Sequence, residues 1–358
     1  MRHPPAGLSR NPLGGADSGL QPGDRGEASQ LTVSALIVSW NSLALIKPCI
    51  ESLLRQTVPP QRVVVVDNGS TDGSVDWLRE QPNLQVIESQ INLGFAAANN
   101  LGLRACLEDA VLCVNPDVVL DPRYIELCLR HLDRPDMGSV TGKLLRASPV
   151  GIIDSTGHAV YGIGWTENRG ELSPDGPSFD QAQEVFGVCA AAGLYRAGAL
   201  ESVIVDDQVF DETYFSYIED VDLDWRLRWA GWRAWYEPDA VAIHHRSATG
   251  ARFSAPVMRH ILKNRLLTVA KNYEARWLLK EGVGVAAFTM IKAADFGRRH
   301  PSAILGLVDF ARLFPEAMRK RQALKPQRRT SASEMRGWLL RFPWRERTLR
   351  RIRRRQGA

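Results

Sequence analysis

The chain reads as an α/β protein built on a mostly parallel sheet, continued by a helical, basic extension. Three observations predict this. Apolar runs alternate with stretches of helical spacing between residues 31 and 117. Each apolar run ends in a polar cluster. From Val257 the alternation gives way to a mixed basic and apolar helical pattern.

Along the chain, residues 31–40 form a buried strand, and residues 43–55 have helical spacing with Ser42 placed to cap them. Residues 62–66, β-branched after Arg62, make a second strand that runs into the turn cluster Asp67-Asn68-Gly69-Ser70, with a helix over residues 74–80. A third strand (residues 84–88), a Gly/Ala/Asn segment leading into a helix (residues 92–100) and a fourth strand (residues 110–115) complete the βαβ pattern. Past Asp117 the strands shorten, near residues 139–144 and 185–195. A helix spans residues 219–230, stopped by Gly231. The expected organisation is a disordered leader (1–28), a catalytic domain (29–250), an amphipathic helical segment (251–318) and a basic tail (319–358).

Composition bounds the class. With 44% hydrophobic and 24% charged residues the chain suits a globular protein. Its net charge of +5 is a tail property, because residues 319–358 hold fifteen Lys and Arg against two Glu and leave the rest at −8. Five cysteines without a CxxC pair fit a reducing compartment, and no apolar stretch has the roughly 20 residues that cross a bilayer. A cytoplasmic protein, peripheral at the inner face of the membrane, is expected.

In parallel sheets ligands bind beyond the carboxyl ends of strands, which here are Asn41, Asp67 and Asn115-Pro116-Asp117. Asp67, followed by Asn68 and Gly69, can accept from a pyrimidine N–H or a ribose hydroxyl, although the same four residues also make an ordinary tight turn. Asp117 can reach a divalent cation bridging two phosphates, since magnesium and manganese prefer oxygen ligands. The sharpest local signal is Glu219-Asp220-Val221-Asp222-Leu223-Asp224. Acids favour a helix's first turn, but four within six residues repel one another unless a cation, a base role or an Arg offsets them. His244, at another strand end, becomes a metal ligand once an acidic site is granted.

In sequence order, Val38-Ser39-Trp40-Asn41, Val66 to Ser70, Asn92-Leu93-Gly94-Phe95 with Asn99-Asn100, Asn115-Pro116-Asp117, Phe210 to Phe215, Glu219 to Leu223, His244 and Asn264-Arg265 resemble the family 2 glycosyltransferases of the GT-A fold. The bacterial branch with rhamnosyl- and galactofuranosyltransferases is the most similar. The resemblance implies an inverting transfer from a thymidine or uridine diphosphate sugar, with manganese or magnesium as cofactor. Asn41, Asp67, Asn68, Asn92, Gly94, Asn99 and Asn115 would line the nucleotide cleft. Asp117 and His244 would hold the metal, and Arg265 would face the leaving phosphate. Asp220 would be the general base, with Glu219 and Asp222 supporting it or orienting the acceptor. Two departures stand out: Asn115 replaces the first acid of the family's Asp-x-Asp, and Val209 precedes Phe210 where a Gly is usual.

By the same resemblance the donor sugar is L-rhamnose, with galactofuranose or another hexose as the alternative, and the acceptor is a glycan or a polyprenyl-diphosphate-linked sugar in envelope synthesis. The extension mixes Trp277, Leu279, Val283, Met290 and Ile291 with Lys and Arg, which suits helices lying in an anionic membrane interface, as well as a packed subdomain with a solvated tail. Two other classes compete. An arginine-rich tail binds nucleic-acid backbones, but no recognition module accompanies it and the body is acidic. A sugar nucleotidyltransferase wants a Gly-rich basic loop after the first strand, which residues 39–42 do not supply.

Overall fold

The structure is a computed structural model that describes residues 31–246 and 254–344. Its nucleus is four parallel strands: β1 (Val33–Ser39), β2 (Arg62–Asn68), β3 (Gln85–Ser89) and β4 (Ala110–Val114). β1 lies between β2 and β4, with Val38 opposite Val66 and Ile37 opposite Val114, and β3 lies outside β2. The crossovers are helices α1 (Leu43–Leu54), α2 (Ser74–Arg79) and α3 (Phe95–Leu103). Ser42 stands at the α1 N-cap, yet its hydroxyl donates to the Trp40 carbonyl instead of capping the helix.

β1, β2 and β4 are buried along nearly their whole length because both sheet faces are covered there, whereas the edge strand β3 is partly exposed. Val33, Ala35 and Ile37 pack with Ile46, Cys49 and Leu53 of α1 and with α4 (Tyr124–Leu132). Leu36 and Val38 face Ala96 and Ala98 of α3 on the other side.

Past β4 the sheet becomes mixed. After β5 (Val118–Leu120) come β6 (Met137–Arg146), β7 (Ile153–Ser155), β8 (His158–Tyr161), β9 (Trp165–Asn168), β10 (Gln183–Val185), β11 (Ala192–Arg196) and β12 (Arg233–His244). The ten-stranded sheet runs β3-β2-β1-β4-β11-β6-β12-β10, with β5 on β12 and β7 on β6. β11 is antiparallel to β4 and β6, and β12 is parallel to β6. The single strand expected over residues 185–195 is thus broken. Its middle, residues 186–191, is a loop beyond the carboxyl end of β4.

After α5 (Ala197–Glu201), helix α6 (Glu219–Trp229) has no exposed face. Leu223 and Leu227 pack towards the sheet, as their spacing predicts. Val221, Trp225 and Trp229 pack against the extension through Val269, Tyr273, Trp277 and Met335. The extension comprises α7 (Ala255–Asn272), α8 (Ala275–Arg299), α9 (Leu305–Leu324), α10 (Ala332–Gly337) and the short β13 (Leu339–Leu340), which pairs in parallel with β8.

The expected leader (1–28), the boundary near residue 251 and residues 345–358 of the tail lie outside the described residues. The boundary expected between residues 318 and 319 falls inside α9. The chain beyond that point is docked: Lys320 is 3% exposed and Met335 fully buried, and Arg321 donates to carbonyls of α7 and its C-terminus. Among the described residues no helix is long and apolar enough to cross a membrane.

Candidate active site

The carboxyl ends of β1 and β2 are tied together by short polar contacts. Asn41, held at φ +49°, accepts from Thr71 N–H at 2.8 Å, while its own N–H donates to Ser70 Oγ at 2.9 Å. Asp67 Oδ2 accepts from the amides of Gly69 (3.2 Å) and Ser70 (3.0 Å), forming the turn that the sequence allows. Its Oδ1 is buried and accepts from no described residue, and the same is true of Asn115 Oδ1. A buried acceptor without a donor costs on the order of 1–3 kcal/mol, which a ligand N–H or O–H would recover.

Asn68 and Asn92 shape the neighbouring loop. Asn68 Nδ2 donates to Asn92 Oδ1 at 3.1 Å, and Asn92 Oδ1 also accepts from Gly94 N–H at 2.9 Å. Gly94 has φ +84°, and a Cβ there would lie 2.6 Å from Phe215, so no other residue fits. Asn99 is occupied within α3, donating to the Phe95 carbonyl at 2.8 Å. Its neighbour Asn100 reaches out instead, bonding the backbone of Phe210 in both directions.

Asp117 and His244 are brought together. His244 Nε2 lies 3.2 Å from Asp117 Oδ1, and His244 Nδ1 lies 2.8 Å from Asp154 Oδ2. Burial lowers the imidazole, but the two carboxylates outweigh it and raise its pKa. Asp154 is fully buried. Burial pushes its carboxyl up, yet His244 and Arg246 pull it down to about 2.

Asp220 lies in a second cluster. Its Oδ2 accepts from Ala190 N–H at 3.3 Å and lies 3.5 Å from His158 Nε2. His158 Nδ1 is 2.6 Å from Asp224 Oδ2, and burial lifts the Asp224 carboxyl to about 6. Ligand atoms of His158, Cys189 and Asp220 lie within 4.8 Å of one another, a spacing that could hold an ion. The clusters adjoin, because Ala190 donates to Asp220 while Ala191 O accepts from the amide of Asn115, two residues before Asp117. The Asp154-to-His158 turn touches both.

Glu219 is buried beside Asp220. Burial, and after it that neighbouring charge, push its carboxyl well above the usual range. Asp222 does not join them. Two residues along a helix it points away, into an interior network with Lys271 (2.8 Å), Arg226 (3.0 Å) and Asn272 (3.1 Å). Arg265 is likewise committed elsewhere: buried between α7 and α8, it donates to Thr289 Oγ1 and to the Ile163 and Val285 carbonyls and stacks on Phe288. Its place near a leaving phosphate, expected from sequence, is not what these contacts describe.

A family model described as glycosyl transferase family 2 matches residues 34–204. The chain belongs to glycosyl transferase family 2. It is 28% identical over 272 residues to an N-acetylglucosaminyl-diphospho-decaprenol L-rhamnosyltransferase of Mycobacterium tuberculosis, covering 68% of this chain and 87% of that one. It is 31% identical over 257 residues to the pre-mycofactocin glycosyltransferase of the same species, covering 66% of this chain and 52% of that protein. Among solved structures, GalNAc-T7 with UDP, GalNAc and Mn2+ superposes with a TM-score of 0.56 at 12% identity, over 80% of this chain and 57% of that one. A Pyrobaculum calidifontis mannosyltransferase with GDP-Man and Mn2+ gives 0.50 at 16% identity, over 86% and 89%. These two likenesses establish the GT-A-like mixed sheet.

In this family 2 glycosyltransferase, sequence reasoning singled out Asp117, His244, Glu219 and Asp220, which the fold gathers in two adjoining clusters. It did not single out Asp154, His158, Cys189 or Asp224 for a role. For Asp224 the signal was present, since positions 220 and 224 share a helix face. Asp154 and His158 sit on strands of three and four residues, too short to show a pattern.

Proposed function

We propose that this glycosyltransferase moves a sugar from a nucleoside diphosphate to an acceptor hydroxyl with inversion, and that Asp220 is the base. The observation that supports this best is the shared 189–191 loop, which brings Asp220 beside the strand end that carries Asp117. Asp220 takes the acceptor's hydroxyl proton as that oxygen bonds to the anomeric carbon from one face and the nucleoside diphosphate departs from the other. Burial and the Asp220 charge both disfavour a second negative charge on Glu219 beside it. The orphan oxygens of Asp67 and Asn115 accept hydrogen bonds from the nucleoside.

The residues at Asp117 fit a divalent cation. An imidazole and a carboxylate meet, and the far ring nitrogen is held by Asp154, the buried carboxylate that commonly orients a metal-ligating histidine. When bound, magnesium or manganese would neutralise the diphosphate's charge. The His158–Cys189–Asp220 grouping suits it less, because a thiol is a soft ligand.

Rhamnose is the favoured sugar and a polyprenyl-diphosphate-linked sugar the favoured acceptor, supported by the relative of that specificity. The protein works peripherally at the cytoplasmic membrane face. Asp220→Asn is expected to abolish transfer while leaving nucleotide affinity intact, and equal turnover by the purified variant would remove Asp220 from the mechanism. A donor panel read by nucleoside diphosphate release with manganese identifies the sugar. No release from any donor with any acceptor extract would defeat the transferase reading.

A further inference from the structure

We propose that His158, held by Asp224, is a positioning residue for the Asp220 carboxylate, an inference that rests on Asp220 being the base. Asp220 and Asp224 are four residues apart on α6 and so share one face. The imidazole of β8 stands between them, 2.6 Å from Asp224 and 3.5 Å from Asp220. The short contact between Nδ1 and Asp224 fixes the plane of the ring and leaves Nε2 within ion-pair reach of Asp220 Oδ2. Ala190 N–H meets the same oxygen at 3.3 Å. The amide on one side of Oδ2 and the imidazole on the other orient the carboxylate, and Oδ1, which among the described residues accepts the amide of Val221, keeps a lone pair for the acceptor's proton.

The surroundings are shaped around this chain of three groups. The side chains of His158 and Asp224 are 3% and 1% exposed, against 16% for Asp220, so only the outermost group meets substrate. The second oxygen of Asp224 is tied to Val188 N–H at 3.2 Å. Gly187 makes room for it: a Cβ there would lie 1.9 Å from the Asp224 carboxyl carbon, and the Gly187 carbonyl accepts from His158 N–H at 3.0 Å. Gly157, at φ +107°, turns the chain so that His158 arrives there. An apolar pair of the same volume would brace β8 against α6 at least as well, since two buried charges lose their hydration to form such a link. The polar chain is therefore explained by what stands at its exposed end.

The test is steady-state kinetics on the full chain with the donor found by the panel. His158→Ala and Asp224→Asn are expected to lower kcat by about 10²-fold, the lower part of what a positioned base contributes. Donor KM should stay within about twofold, because neither residue faces the nucleotide. His158→Gln, whose amide nitrogen can reach the Nε2 position, should recover much of the loss. Near-UV circular dichroism of Trp225 and its neighbours reports folding, and the Gln and Asn variants remain informative if the Ala variant does not fold. Equal losses in the Ala and Gln variants, or full activity in Asp224→Asn, would overturn the proposal. So would a loss in Cys189→Ser matching that of His158→Ala together with stoichiometric zinc in the wild type, which would make the cluster a metal site. Asp220→Asn is measured alongside. If it retains transfer, the base assignment fails and this inference with it; if it is inactive while His158→Ala runs at full rate, only the role of His158 fails.

Discussion

Asp117 and His244 were legible because each closes an apolar strand, where packing does not call for a polar side chain. Asp154 was not legible, although it touches His244 more closely than Asp117 does. A carboxylate on a three-residue strand carries no periodic signal, and only the fold shows which histidine it meets. Asp222 and Arg265 illustrate the converse: sequence marks a charge near the right place without saying which way it points. These contacts predict graded effects on metal-dependent donor binding. Asp117→Ala and His244→Ala should abolish the manganese-dependent part of nucleotide affinity, whereas Asp154→Asn, which only orients the ring, should weaken manganese about 10- to 100-fold. Titration calorimetry with and without manganese measures both. Unchanged affinities in all three variants would count against the assignment.

Helix α6 shows why the acid cluster was hard to divide by spacing alone. Its hydrophobic residues cover two sides, Leu223 and Leu227 towards the sheet and Trp225 and Trp229 towards the extension, and its acids take the two that remain. One acid side carries Asp220 and Asp224. The other carries Asp222, which with Asp211 surrounds the buried Lys271, while Lys320 of α9 closes the group on Asp211 at 2.7 Å. Breaking a buried ion pair by removing one partner costs about 3–5 kcal/mol, so Asp211→Asn should destabilise the protein by that order at neutral pH. Burial pushes the Asp211 carboxyl up, but Lys271 and Lys320 outweigh it and hold it well below the ordinary range. A carboxyl lowered in the folded state stabilises fully above its unfolded pKa of about 4 and loses that contribution as pH falls towards the folded value. The gap in urea-unfolding free energy between wild type and Asp211→Asn should therefore be constant above about pH 5 and narrow below it. A gap independent of pH would show that the Asp211 charge does not link α9 to the catalytic domain.

The sequence predicts amphipathic helices followed by a basic tail, and the helical content of the extension is evident from residue 257 onward. Which basic residues are free was not evident. Lys320 and Arg321 serve as interior cations, Arg328 pairs with Glu274 and lies over Trp229, and Met335 fills the core beside α6. Removing the chain beyond Leu313 would strip these contacts, so a truncation cannot separate membrane attachment from folding. The outer side of α8 offers a cleaner test. Leu279, Val283 and Met290 are 87%, 83% and 67% exposed, and their spacing of four and seven residues places them on one stripe. Exposed Arg276 and Lys280 lie at one end of the helix and Arg298 and Arg299 at the other. An apolar stripe ended by cations matches a helix resting in an anionic lipid interface, where each charge contributes about 1 kcal/mol. The double substitution Leu279→Glu with Val283→Glu removes no buried contact, so folding and turnover with a water-soluble acceptor should be preserved. Flotation with phosphatidylglycerol-containing vesicles should be lost in the variant, and wild-type flotation should fall as salt rises, since the charges are screened over about 10 Å at 0.1 M. If the variant floats as the wild type does, α8 is not the attachment surface.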